Sequence, residues 1–171
     1  MEKKKGGALK IILILLGVVA LCIGGCVLTC TGGAAVVGAG IAAAEEEKLE
    51  LAKSLKSTPA GDVSAESLSE LFSYGEKFTD LQRENKEAEI NGEIVEWELS
   101  VFDVSKKSDG IYRIQTQGSG EVGTFTNLYT FSPEEVSRVE ALVEGDKIKI
   151  KGKITGTSMR NIDIEPAIFV D

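Results

Sequence analysis

EGDKIKIKGKITG, residues 144–156, reads as a turn followed by a strand. Glu144-Gly145-Asp146 makes the turn, then Ile148, Ile150 and Ile154 fall on one side and Lys147, Lys149, Lys151 and Lys153 on the other. Such a strand turns one face to a core and the other to water. Ile162, Ile164, Ile168 and Val170 supply a last strand downstream. Immediately upstream, Ser132-Pro133-Glu134-Glu135 opens a short helix, with Ser132 as cap and Pro133 at its first position; the helix is expected to end near Val143.

Further back, Ile111 to Gln117 and Glu121 to Phe131 read as two strands around a Gly118-Ser119-Gly120 turn. From Ala88 the apolar period is two: Ala88, Ile90 and Ile94 share one parity, and Val95, Trp97, Leu99 and Val101 take the other. The slip near Ile94 predicts a bulge in one long bent strand, with Gly92 at the bend. Asp62 or Ser64 can cap a helix bearing Leu68, Leu71 and Phe72, and more helix is expected from Phe78 to Glu87. Residues 62–171 are therefore expected to be an all-β domain with short helices: a five-stranded OB-fold Greek-key barrel, with a helix between its third and fourth strands.

Residues from about Ser64 to Asp171 resemble the tRNA_anti-like family of bacterial OB-fold domains. The matching pieces are Asn85-Lys86-Glu87-Ala88, the stretch INGEIVEWEL (90–99), EGDKIKIKGKITG and the closing NIDIEPAIFV (161–170). These motifs mark architecture, and the resemblance implies the fold and a frequent signal sequence or anchor, not a ligand. Thr130-Phe131 stands where many relatives carry a cysteine near a phenylalanine.

The N-terminus has a different character. Ile11 to Ala44 is 34 residues long and holds no charged side chain, and its first part, residues 11–31, suits one transmembrane helix at ~20 residues per span. Lys3, Lys4, Lys5 and Lys10 precede it and Glu45, Glu46 and Glu47 follow, so residues 1–10 are expected in the cytoplasm and the domain outside, in a single-pass arrangement. Ile23-Gly24-Gly25-Cys26 also resembles a bacterial lipobox, which leaves Cys26 as an alternative lipidation site. Cys22, Cys26 and Cys30 share a helix face, as do Ala35, Ala39 and Ala43, a spacing that permits self-association through the anchor or arises from Gly/Ala-rich composition alone. Residues 45–61 read as a helical stalk and a linker, ended by Ser57-Thr58-Pro59-Ala60-Gly61.

From Asp62 onward the chain has 22 acidic and 12 basic residues, a net −10, which repels phosphate and argues against nucleic acid as partner. The sequence contains no histidine, and its three cysteines all lie in the apolar segment. Ser-His and Cys-His nucleophile pairs are thus excluded, and no enzyme activity, cofactor or metal is expected. With Trp97 pointing inward as a core residue, Glu96, Glu98 and Ser100 point outward, joined by Arg113, Gln115, Gln117, Thr124, Thr126 and Thr130. That face, expected to lack aromatics, suits a neutral glycan, a peptide or another protein, or is a solvated face. The row Lys147, Lys149, Lys151 and Lys153 is the one concentrated basic feature, either a contact for anionic surfaces or an exposed strand face neutralised by Asp163 and Glu165. Asp103, Asp109 and Glu121 are expected in turns. The overall expectation is a membrane-anchored, extracytoplasmic binding module, with a nucleic-acid-binding OB-fold protein or a lipidated OB-fold lipoprotein as alternatives.

Overall fold

The computed structural model describes residues 43–72, 78–117 and 122–171. The expected span at 11–31, the face of Cys22, Cys26 and Cys30, the residues Ala35 and Ala39, and the expected Gly118-Ser119-Gly120 turn with Glu121 lie outside the described residues. Among the described residues no helix is long and apolar enough to cross a membrane.

Residues 43–54 are helical (α1). They are followed by α2 (Ala65–Phe72), α3 (Asp80–Ile90), β1 (Ile94–Ser108), β2 (Ile111–Thr116), β3 (Thr124–Tyr129), α4 (Pro133–Glu140), β4 (Lys147–Ser158) and β5 (Asn161–Phe169). The strands close a barrel in the order β1-β2-β3-β5-β4, with β3 and β5 parallel and every other pair antiparallel. This closed five-stranded barrel, with α4 between β3 and β4, is an OB-fold.

β1 makes closure possible. It pairs with β4 through Ile94 to Ser100 and with β2 through Val101 to Ser108, and the register shifts between Val101 and Asp103, where one strand changes partner. A local irregularity bends a strand and raises its twist, which is what a small barrel requires at that point. Asp103 therefore lies within β1 and not in a turn.

Val95, Trp97, Leu99 and Val101 face inward, as their parity predicts, and meet Ile114, Ile148, Ile150, Ile154, Ile162 and Ile164 in one core. Trp97 also donates its indole N–H to the Val63 carbonyl at 2.8 Å, tying the segment before α2 to the barrel. At Gly152 the backbones of β4 and β5 come close. A Cβ there would meet Ile164 and would lie 2.9 Å from both the Ala167 Cβ and the Pro166 carbonyl.

The parity slip near Ile94 has a different origin from the expected bulge. Ala88 to Ile90 is the end of α3, and Asn91-Gly92 turns the chain into β1, with Gly92 at φ +94°. The slip marks a helix giving way to a strand; Ile90 is buried because the helix end packs on the barrel. α3 is opened by a capping box between Thr79 and Gln82, and α4 by Ser132 and Pro133 as expected, ending three residues before Val143.

The segment expected to be a stalk also packs on the barrel. Ala52 and Leu55 are fully buried against Tyr129 and Ile168, with Ile94, Ile111 and Val170 around them. Lys48 reaches Glu165 of β5 at 2.9 Å, and the Gly61 amide donates to the Ile94 carbonyl at 2.7 Å. A spacer would leave Leu55 in water; here, in the turn that ends α1, it is sealed against Tyr129 and Ile168, apolar side chains on the outside of the barrel.

Candidate ligand-binding face

The outside of β2, β3 and β5 carries the candidate site, and strand register decides which residues share it. Residues opposite each other in a pair point to the same face. Tyr112, Ile114 and Thr116 of β2 face inward, so their partners Leu128, Thr126 and Thr124 of β3 do too. Thr124 and Thr126, expected on the ligand face, are fully buried. Their hydroxyls are satisfied inside the barrel: Thr124 Oγ1 lies 2.9 Å from Thr116 Oγ1 and 3.0 Å from Thr126 Oγ1. A chain of hydroxyls that bond one another is tolerated where a lone one is costly.

The residues that do point outward from β3 are Phe125 and Asn127. Gln115 sits opposite Phe125, and Arg113 opposite Asn127 and diagonal to Phe125. The Arg113 guanidinium lies 4.6 Å from the centre of the Phe125 ring, a cation–π contact. The face therefore has an aromatic at its centre, contrary to the sequence expectation. A second ring, Phe102, is exposed beside the β1 irregularity, next to Asp103, the partner of Gln115. Gln117 is exposed just past the end of β2, and Thr130 instead turns its hydroxyl to the Gly110 carbonyl at 3.0 Å.

Arg113, Phe125, Asn127, Thr155, Asp163 and Glu165 line a groove of about 210 Å³. Asp163 accepts from the Ser158 hydroxyl at 2.8 Å. Glu165 receives Lys48 from α1 on one oxygen and Lys107 from β1 on the other, at 2.9 and 3.4 Å. Burial pushes the Glu165 carboxyl up, but the two ammonium groups outweigh it and hold the carboxyl below its ordinary range.

The lysine row lies outside this groove on β4. Lys149 and Lys151 both pair with Glu96 of β1, at 2.9 and 3.4 Å, and the hydrogen bonds from Lys149 and then Lys151 hold Glu96 below its ordinary range. Lys151, directly opposite Glu96, is largely buried between β1 and β5; Lys147 is exposed, and Lys149 and Lys153 are half-buried. The neutralising partner is thus Glu96, not Asp163 or Glu165, because those two face α1, Lys107 and the groove.

No protein-family profile matches the chain, and no curated protein sequence matches it. Among solved structures it is similar to a provisionally named nucleic acid-binding lipoprotein from Klebsiella pneumoniae, at 15% identity over 70% of this chain and 97% of that one, with a TM-score of 0.44. It is also similar to asparaginyl-tRNA and aspartyl-tRNA synthetases from Entamoeba histolytica. For these the identities are 10% and 13%, the coverage 47% and 67% of this chain and 21% and 24% of theirs, and the TM-scores 0.35 and 0.38. The OB-fold rests on the barrel's own strand order. Phe125 was legible in principle, since Leu128 shares parity with Thr124 and Thr126 and fixes which side of β3 faces the core.

Proposed function

We propose that the chain is a non-enzymatic OB-fold binding module, anchored in a membrane and displayed outside the cytoplasm, that takes its ligand on the outer face of β2, β3 and β5. The observation that carries the binding half is the groove: a ring backed by a guanidinium, flanked by amide, hydroxyl and carboxylate groups that can orient a polar chain. Support for the anchored half is the 34-residue uncharged run with lysines before it and glutamates after it. A lipid on Cys26 in place of the helix would leave the display side unchanged, and the mass of the mature chain distinguishes the two.

Arg113 beside Phe125 is also the pairing by which single-stranded nucleic acid is gripped. The net −10 and the carboxylates of Asp163 and Glu165 oppose it, since phosphate must approach both. A photo-crosslinking residue at Gln115 in intact cells tests the site. It should form adducts that disappear with Phe125→Ala, and the same residue at Glu84 should form none; equal labelling from both positions would refute it. Reporter fusions to the C-terminus test orientation: activity only from a cytoplasmic reporter would refute display. Oligonucleotide binding at low salt that weakens steeply as salt rises would replace this reading with the nucleic-acid one.

A further inference from the structure

Two groups of the groove, the Glu165 carboxylate and the Phe125 ring, are already met by cations of the same chain. Lys48 and Lys107 hold the two oxygens of Glu165, and Arg113 covers the Phe125 ring. Lys48 comes from 117 residues away in sequence, on a helix whose packing on the barrel centres on Ala52 and, in the turn that follows, Leu55. Its side chain is 40% exposed and that of Glu165 16%, so water and a competing cation can reach the pair from the lysine side while the carboxylate stays fixed. Asp163 stands two residues away on the same face of β5, with the Ser158 hydroxyl on one oxygen. Around the groove, the domain's net −10 draws cations and repels anions.

We propose that the groove binds a peptide segment carrying a lysine or arginine, and that Lys48 is the internal group this side chain replaces at Glu165. This rests on the groove being the ligand face. α1 then works as a displaceable cover: the strip beneath it, Tyr129 and Ile168, continues the groove along β3 and β5 beyond Asn127 and Glu165. A ligand that takes over Glu165 loosens one of the few ties of α1 and opens that apolar strip to the rest of the peptide. The exchange is one ammonium or guanidinium for another, so it leaves the carboxylate paired throughout and avoids the cost of a stranded charge.

The test is fluorescence anisotropy with the full chain in detergent and short fluorescein-labelled Gly/Ser peptides bearing lysine, glutamine or glutamate. The lysine peptide should bind about 2- to 5-fold more tightly than the glutamine peptide, and the glutamate peptide should bind most weakly. Glu165→Gln should weaken the lysine peptide about 2- to 5-fold, the upper part of the range for a pair open to water on one side. Lys48→Ala removes the competitor and should tighten it about 2- to 5-fold, whereas Lys53→Ala, the same charge change on the exposed side of α1, should leave it unchanged. Equal effects of Lys48→Ala and Lys53→Ala, or no effect of Glu165→Gln, would overturn the proposal. If Phe125→Ala abolishes binding while Glu165→Gln and Lys48→Ala do not alter it, the groove survives and the cation claim fails. If none of the three matters, the ligand face itself is misplaced. Preference for an oligonucleotide over the lysine peptide would overturn both.

Discussion

Replacing Leu55 by alanine separates a docked α1 from a free stalk. Leu55 is fully buried, and full burial of a leucine is worth about 1.5–3 kcal/mol. Ala52 adds a methyl group at about 0.8 kcal/mol. The half-exposed Lys48–Glu165 pair adds about 0–1 kcal/mol. Losing about 2 kcal/mol at Leu55, the low end for a site that can partly collapse, shifts the docking equilibrium about 30-fold. Hydrogen exchange on the full chain in detergent reads this directly. Amides of 47–56 should lose protection by about that factor, those of Tyr129 and Ile168 should follow in part, and the barrel amides of Trp97 and Ile150 should hardly change. Protection of 47–56 that is already absent in the parent, or unaffected by Leu55→Ala, would refute the docked helix and restore a stalk.

Three further outcomes follow from the packing. Gly152→Ala should cost about 1–3 kcal/mol in urea unfolding, because the new methyl meets Ile164, Ala167 and the Pro166 carbonyl with no room to move; an unchanged midpoint would mean that β4 and β5 are farther apart. Trp97→Phe should cost about 1–3 kcal/mol by loss of volume and of the bond to Val63, and should speed exchange at 61–64 more than in the barrel; uniform acceleration would count against that tie. Glu165 is held below its ordinary value of 4.5, so its contribution to stability is complete above that value and is lost as pH falls through the lowered native one. Stability should therefore decline on the acid side, and Glu165→Gln should flatten that part of the pH profile; an unaltered acid limb would show that the lysines do not perturb it.

The barrel was legible because its strands carry strong alternation. Val95, Trp97, Leu99 and Val101 leave one possible face for the core, and Ile148, Ile150 and Ile154 do the same on β4. The OB-fold order follows once the helix opened by Ser132 and Pro133 is placed between the third and fourth strands. One reading failed because period-two counting takes no account of what lies on either side of it. At Ala88 and Ile90 it ran across the end of a helix, where Ile90 is buried by packing and not by pleat.

β3 shows why the site was the harder part. In Thr124-Phe125-Thr126-Asn127-Leu128-Tyr129 both parities mix polar and apolar residues, so hydropathy alone gives no direction. Threonines are assigned outward by default, yet these two are buried because β2 sets Thr116 and Ile114 opposite them and Thr116 completes their hydrogen bonds. That inversion turns Phe125 outward, where Arg113 reaches it from the diagonal position. The pairing with α1 was hidden for a related reason. Tyr129 and Ile168 are the apolar members of outward-facing series, and an outward apolar residue signals a covering element only once the register shows which way it points. The groove and its cover therefore share an origin: both are read from the residues that depart from the rule that outward positions are polar. Phe125 and Tyr129 on β3, and Ile168 on β5, trace a continuous path from the Arg113 site to the underside of α1. On the proposed binding mode, a ligand extending along β3 from Phe125 would meet that helix, and occupancy of the groove and docking of α1 would then be coupled.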